Sequence, residues 1–313
     1  MRRSHLLAIG VVAIVAAACS SPGAASPSAS AAAIVSAAPS EAPSVAPTAT
    51  PDPCATEALA VVTPGTVTIG TDNPAYPPYF SDNADGSKTD PWEFGDPTNG
   101  QGFESAVGFA IAEQLGFSKD QVTWIVVPFA NAFAPGAKTF DFDLNQVSYK
   151  PERAKTADLS DGYFFGNQSL VALKDSPVAK ATTVAELKDF VFGAQVGTTS
   201  YDAIAEVIAP SKTPAVYDTN DAAIEALKAG TIDGIVVDLP TADYITNVQV
   251  EGATIVGQFE GGTPEHFSAV LTKDSPLTAC VNAAIAALTT DGTLDELVSK
   301  WLPFQEAVPV IKP

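Results

Sequence analysis

Histidine is nearly missing from this chain: 313 residues contain two, His5 and His266, and His5 lies in a leader-like segment. A single histidine in the mature part, with no Ser/His/Asp order and no nucleophile elbow, speaks against the common hydrolytic machineries. Cysteine is scarce too. The three present, Cys19, Cys54 and Cys280, are spaced far too widely for a zinc cluster. Basic residues are outnumbered, 16 Lys and Arg against 36 Asp and Glu, for a formal charge of −20 that becomes −22 once Arg2 and Arg3 are removed. Such a surface repels nucleic acid and anionic headgroups. No phosphate loop of the Gly-Lys-Ser type and no internal repeat is found. The apolar run Leu6–Ala18 is too short to span a bilayer stably.

What is present begins with that run. Arg2 and Arg3, the apolar stretch and three alanines before Cys19 read as a secretory signal over residues 1–18. Cysteine directly after small residues resembles a lipobox, which implies cleavage before Cys19 and lipidation of its thiol, although Ala16 stands where leucine is commoner. Residues 19–53 are almost entirely Ala, Ser, Pro, Thr and Val, with too little apolar bulk to fold. They read as a tether spanning on the order of 30–35 Å. With Cys19 lipidated, Cys54 and Cys280 remain as an even pair in an oxidising compartment. They are expected either to form a disulfide that staples the entering chain to a C-terminal helix or to stay as buried thiols.

About 260 residues follow, enough for two lobes with cores of their own. Strand-like runs alternate with amphipathic helices, which predicts an α/β fold. Thr66–Thr71, Val122–Val127, Phe142–Val147, Val191–Val196 and Ile232–Val237 read as strands. Phe103–Leu115 reads as a helix whose apolar positions 103, 106, 107, 110, 111 and 115 share a face. Thr183 with Glu186 and Thr293 with Glu296 have capping-box spacing, Thr199 opens a further helix, and Asn220 or Thr219 caps another that Gly230 ends.

The segment Asn145–Phe164 carries the most chemistry. Pro151 suits the first position of a short helix, which puts Arg153 in its first turn just after Ser148 at a strand end. A strand end, a helix start and a guanidinium fork together suit a planar carboxylate. A surface arginine paired with Glu152 or Asp158 is the plain alternative.

Ser148 and Pro151-Glu152-Arg153-Ala154, followed by Leu159-Ser160-Asp161 and Tyr163, resemble the signature of family 3 extracellular solute-binding proteins, the amino-acid receptors of ABC importers. Ile69–Asp72 with Tyr76–Phe80, Gly102-Phe103-Glu104, Gly197–Ser200 and Ile235–Asp238 match further segments in the same order, so the resemblance covers roughly Thr66 to Leu302. It implies a two-lobed periplasmic-binding-protein-like fold of type II, with a hinge of two crossovers near Phe164–Gln168 and Pro264–Val270. Lobe 1 would comprise 54–166 and the return segment 266–313, and lobe 2 would be 167–265, with Ser169–Leu173 leaving the first lobe.

The same resemblance implies roles. Arg153 holds the carboxylate of an amino acid, Thr198, Thr199 and Ser200 form an anion loop on the opposite lobe, Asp238 takes the ammonium with Ser148 as an acceptor, and Tyr76 covers the side chain. Asp72 facing that side chain would favour a cationic ligand, whereas Asn145 and Gln146 would favour a polar one. The expected partners are an ABC permease with its ATPase and, through lipid on Cys19, the outer face of the cell membrane. A monomer without cofactor or metal is expected. A dehydratase or hydrolase on the same scaffold and a ligand-binding partner of a signalling receptor are the alternatives. Two departures stand out: Lys150 replaces the usual threonine before Pro-Glu-Arg, and one extra residue separates Asp72 from Tyr76. The long polar segment Ser81–Gln101, with Trp92, is either a lid or a decorated surface.

Overall fold

The computed structural model describes residues 52–259, 265–303 and 308–313; the expected signal, the lipidated Cys19 and the tether up to Pro51 lie outside them. The described residues form two five-stranded sheets. In the first, β1 (Val67–Thr71) pairs in parallel with β2 (Val122–Val126) and β3 (Phe142–Asp143), and β10 (Glu265–Thr272) runs antiparallel to β3 and β4 (Ala157–Gly166). In the second, β6 (Phe192–Gln195) pairs in parallel with β7 (Ala215–Tyr217) and β8 (Gly234–Asp238). There β5 (Gln168–Leu173) runs antiparallel to β8 and β9 (Ala253–Gln258). Among the described residues seven helices join them: α1 (Phe103–Gln114), α2 (Phe129–Ala132), α3 (Thr199–Asp202), α4 (Asn220–Lys228), α5 (Leu239–Tyr244), α6 (Thr278–Thr290) and α7 (Thr293–Trp301). No helix among the described residues is long and apolar enough to cross a membrane.

β1 is buried along its whole length, as its unbroken run of small and β-branched residues demands of a central parallel strand. Gly70 has a steric reason: a Cβ there would lie 2.6 Å from the Asp143 carboxylate and 2.8 Å from Val127. α1, α6 and α7 pack on this sheet around Phe103, Val107, Ile111, Val281 and Ile285. The second sheet is covered on one face by Leu187, Ile204 and Ile208 and on the other by Ile224, Leu227 and Ile245. Cys54 and Cys280 are joined in a disulfide with Cα atoms 5.4 Å apart, which ties the entering chain to α6.

Several local expectations need correction. The strand expected over Phe142–Val147 is regular only at Phe142–Asp143, because Gln146 adopts a φ of 49° and turns the chain towards Glu104. The short helix expected to start at Pro151 is a 3-10 turn over Arg153–Lys155, which Arg153 opens. Thr199 is, as expected, the first helical residue of α3, and Thr198 caps it, accepting from the Tyr201 amide at 3.2 Å. Thr219 caps α4. At α7 the cap position is Gly292, with a φ of 85°, and Asp291 accepts from the Thr293 amide at 2.9 Å in place of the Thr293–Glu296 box. The Thr183–Glu186 box is formed, on the short turn Val184–Leu187.

The first crossing lies at Asn167, between β4 and β5, so Ser169–Leu173 already belongs to the second sheet. β9 ends at Gln258 in the second sheet and β10 pairs with β4 in the first from Glu265 onward, so of the crossing expected near Pro264–Val270 the residues from Glu265 already belong to the first sheet, and Pro264 lies outside the described residues. The return segment 266–313 is also corrected at its end. Val310 bridges to Gln258, Lys312 to Thr183, and Ile311 is buried in the core of the second sheet. Gly257 makes room for this, since a Cβ there would lie 2.7 Å from Ile311. The final described residues, 308–313, therefore pack on the second lobe.

Candidate functional site

A cavity of about 190 Å³ lies between the lobes, and all ten expected site residues line it. They sit past the carboxyl ends of parallel strands, where ligands of open α/β sheets bind. Asp72 and Tyr76 follow β1; Asn145, Gln146, Ser148 and Arg153 follow β3. Thr198, Thr199 and Ser200 follow β6, and Asp238 ends β8.

Arg153 is 5% exposed. Its guanidinium donates to the Ser148 carbonyl at 2.5 Å and, across the cleft, to the Gly197 carbonyl at 2.8 Å. The rings of Phe133 and Phe129 lie 4.6 and 5.4 Å away. It pairs with neither Glu152 nor Asp158, whose carboxylate instead meets Lys273 at 3.1 Å. Burial lowers its pKa to about 10, opposed by Glu265, Asp202 and Asp238, so it stays cationic at neutral pH. A buried guanidinium held by carbonyls, with donors left over, is primed for an incoming anion.

Asp238 faces it from the second lobe. Gln168 Nε2 donates to Asp238 Oδ1 at 2.6 Å and to Glu265 Oε2 at 3.0 Å. Thr199 donates to Glu265 and lies 3.3 Å from the Ser148 hydroxyl. Burial, and next the neighbouring Glu265, push the Asp238 carboxyl well above its usual range. Such a group gains most from a cation placed beside it. Gln168 and Glu265 were not anticipated. They flank the two crossings, and the only sequence signal for them is that position.

Asp72 accepts from the Asn73 amide at 2.8 Å and the Phe129 amide at 3.1 Å; burial raises its pKa. Tyr76 lines the cavity despite the extra residue before it. Its hydroxyl donates to Asp221 Oδ2 of the opposite lobe at 2.8 Å, and its ring lies 5.8 Å from that of Tyr244. Asp221 and Tyr244 are further lining residues that sequence reasoning missed. Asn145 is committed to the Val127 carbonyl at 3.3 Å. Gln146 gives both its backbone and side-chain N–H groups to Glu104, which also accepts from Tyr163. Glu104 is fully buried with no cation among these partners, and burial lifts its pKa to about 7. His266 stacks on Tyr149 with ring centres 5.5 Å apart and is not among the lining residues.

The Ser81–Gln101 segment is anchored on Asp96, which is 1% exposed and accepts from Asn83, Thr89 and both the amide and hydroxyl of Thr98. Trp92 enters the core of the first lobe, and Phe94 packs 5.0 Å from Tyr76. The segment therefore backs the aromatic wall of the cavity.

The model of the bacterial extracellular solute-binding proteins, family 3, matches residues 67–304. The chain belongs to that family. Among its relatives in the family, the arginine-binding extracellular protein ArtP of Bacillus subtilis is 26% identical over 216 residues, covering 67% of this chain and 81% of that protein. The L-cystine-binding protein TcyJ of Escherichia coli K12 is 28% identical over 241 residues, covering 76% and 82%. The solved structure of an ancestral arginine-binding protein bound to arginine superimposes with a TM-score of 0.60 at 26% identity, covering 76% of this chain and 98% of that one. The family match fits the two-lobed type II architecture seen here.

Proposed function

We propose that this family 3 protein captures a free amino acid between its lobes and hands it to the permease of an ABC importer. The observation that carries the reading is the juxtaposition, in one cavity, of the buried cation Arg153 from the first lobe and the half-buried acid Asp238 from the second. A zwitterion needs that pair: Arg153 takes the carboxylate in a fork, the Thr198–Ser200 amides at the start of α3 add donors, and Asp238 takes the ammonium. The relatives, named as binders of arginine and cystine, support the class. Tyr76 covers the side chain, and Asn145, Gln146 and Asp72 complete the walls. The lobes shut on the ligand, and the closed form docks on the membrane partner.

The reading is one of binding, with no catalytic step: the cavity joins hydrogen-bond donors and acceptors to a zwitterion, and His266 lies elsewhere. Residues 1–18 export the chain, lipid on Cys19 anchors it outside the membrane, and residues 19–53 give it reach. The receptor works as a monomer beside the permease and its ATPase.

Thermal unfolding of the purified protein against the twenty amino acids tests this. A ligand at about 100 times its dissociation constant adds roughly 2.7 kcal/mol and raises the midpoint by several degrees. Arg153→Ala should remove the shift, since an unpaired buried carboxylate costs about 3–5 kcal/mol. Silence from all twenty, or an unchanged shift in the variant, would sink the proposal.

A further inference from the structure

We propose that Asp221, held across the cleft by Tyr76, reads a positive charge at the end of the ligand's side chain, so that the cargo is an amino acid with a cationic side chain. This rests on the amino-acid reading above and goes beyond it by naming the charge of the side chain and the residue that selects it.

The ionisable acids and bases among the described lining residues are Arg153, Asp72, Asp221 and Asp238. A zwitterion uses Arg153 for its carboxylate and Asp238 for its ammonium. Asp72 and Asp221 then remain, both carboxylic acids, with no further Lys or Arg among those lining residues. Lys150, three residues before Arg153, is committed to Asp202. The two remaining acids are not equivalent. Asp72 has each oxygen satisfied by a backbone amide, from Asn73 and Phe129. Among the described residues Asp221 receives a single neutral donor, the Tyr76 hydroxyl at 2.8 Å.

Closing the cleft over a neutral side chain would strip water from Asp221 and offer it only that phenol. A cation brought by the ligand supplies the missing charge and repays the desolvation. The surroundings suit one. The rings of Tyr76 and Tyr244 stand 5.8 Å apart at 40°, both on the cavity wall, and present π-faces that attract a cation. A phenol that donates to a carboxylate becomes more electron-rich, which strengthens that attraction. Asp221 stands at the start of α4 while Arg153 and Tyr76 belong to the opposite lobe, so a ligand touching all three ties the lobes together.

Calorimetric titration of the purified protein with arginine and with citrulline, its neutral isostere, tests the assignment. Wild type should bind arginine about 10- to 100-fold more tightly than citrulline, the worth of one charge-assisted contact. Asp221→Asn should close most of that gap by weakening arginine far more than citrulline. Tyr76→Phe, which keeps the ring and frees the carboxylate, should preserve the arginine preference. Citrulline binding as tightly as arginine to wild type would overturn the inference and leave the amino-acid reading intact. Equal weakening of both ligands in Asp221→Asn would assign that residue a structural role and overturn it as well, as would loss of the preference in Tyr76→Phe. Agmatine, which lacks the carboxylate, should bind poorly; agmatine binding as tightly as arginine would overturn the zwitterion reading on which the inference rests. Failure of both arginine and citrulline to bind would overturn the inference, and the wider amino-acid panel would then decide the reading beneath it.

Discussion

Lys150 of the first lobe forms an ion pair with Asp202, which closes the first turn of α3 on the second. In the folded chain the lysine bridges the cleft beside the site. Both side chains are partly exposed, at 26% and 35%, so screening limits the pair to about 0.2–1 kcal/mol.

Removing this bridge should favour the open form. Lys150→Ala is expected to weaken ligand binding by up to about five-fold at low salt, with the deficit shrinking as ionic strength rises. Dissociation constants of wild type and variant at two salt concentrations check it. Identical values at both would show that the pair does not hold the lobes.

Ligand binding should release protons. Burial and Glu265 raise the Asp238 carboxyl in the free protein, while an ammonium beside it favours the ionised form. Affinity is therefore expected to rise with pH through the free-protein pKa of Asp238 and level off above it. Calorimetry in two buffers of different ionisation heat counts the protons directly. Heats independent of buffer would show that Asp238 is already ionised before the ligand arrives.

Glu104 should make the fold more stable in mild acid. Its folded pKa is raised from 4.5 to about 7 by burial, so between those values the native state keeps a proton that the unfolded chain has lost. The stability this confers is full below the unfolded pKa and falls by about 1.4 kcal/mol per pH unit as pH rises, until the folded pKa is passed. Glu104→Gln should flatten that slope. Asp143, also buried with a raised pKa, acts in the same direction and leaves a residue of it. Denaturant unfolding at about pH 5 and pH 7.5 compares the two proteins; an equally steep loss in the variant would acquit Glu104.

Asp96 should govern the Ser81–Gln101 segment. Asp96→Ala strips acceptors from Asn83, Thr89 and Thr98 and is expected to cost about 2–3 kcal/mol. The backing that Phe94 gives Tyr76 would loosen with it. A lowered unfolding midpoint with faster proteolysis inside the segment is the expected result, and an unchanged midpoint would mean that the segment is held by Trp92 alone.

Much of the cavity lining could be read in the chain because its signals are local. Arg153 follows a proline that starts a turn, Thr198 and Thr199 stand where a strand gives way to a helix, and Asp238 ends an apolar strand before Pro240. Strand ends and helix starts are written in neighbouring residues, so spacing along the sequence revealed them, and the ordered motifs added the family and its two-lobed fold.

What the sequence by itself determined, then, is the alternation of strands and helices, the fold class and the residues at strand ends. Tertiary structure alone decided which distant groups meet. Gln168 reaches Glu265 over 97 residues and Tyr76 reaches Asp221 over 145. No periodicity encodes such pairs. It also decided that Gln146 leaves its strand to satisfy Glu104, and that Ile311 returns to the second lobe through the space left by Gly257. The physical reason is the same in each case: burial forces a polar group to find a partner and an apolar one to find a hole, and only the folded chain determines which ones are within reach.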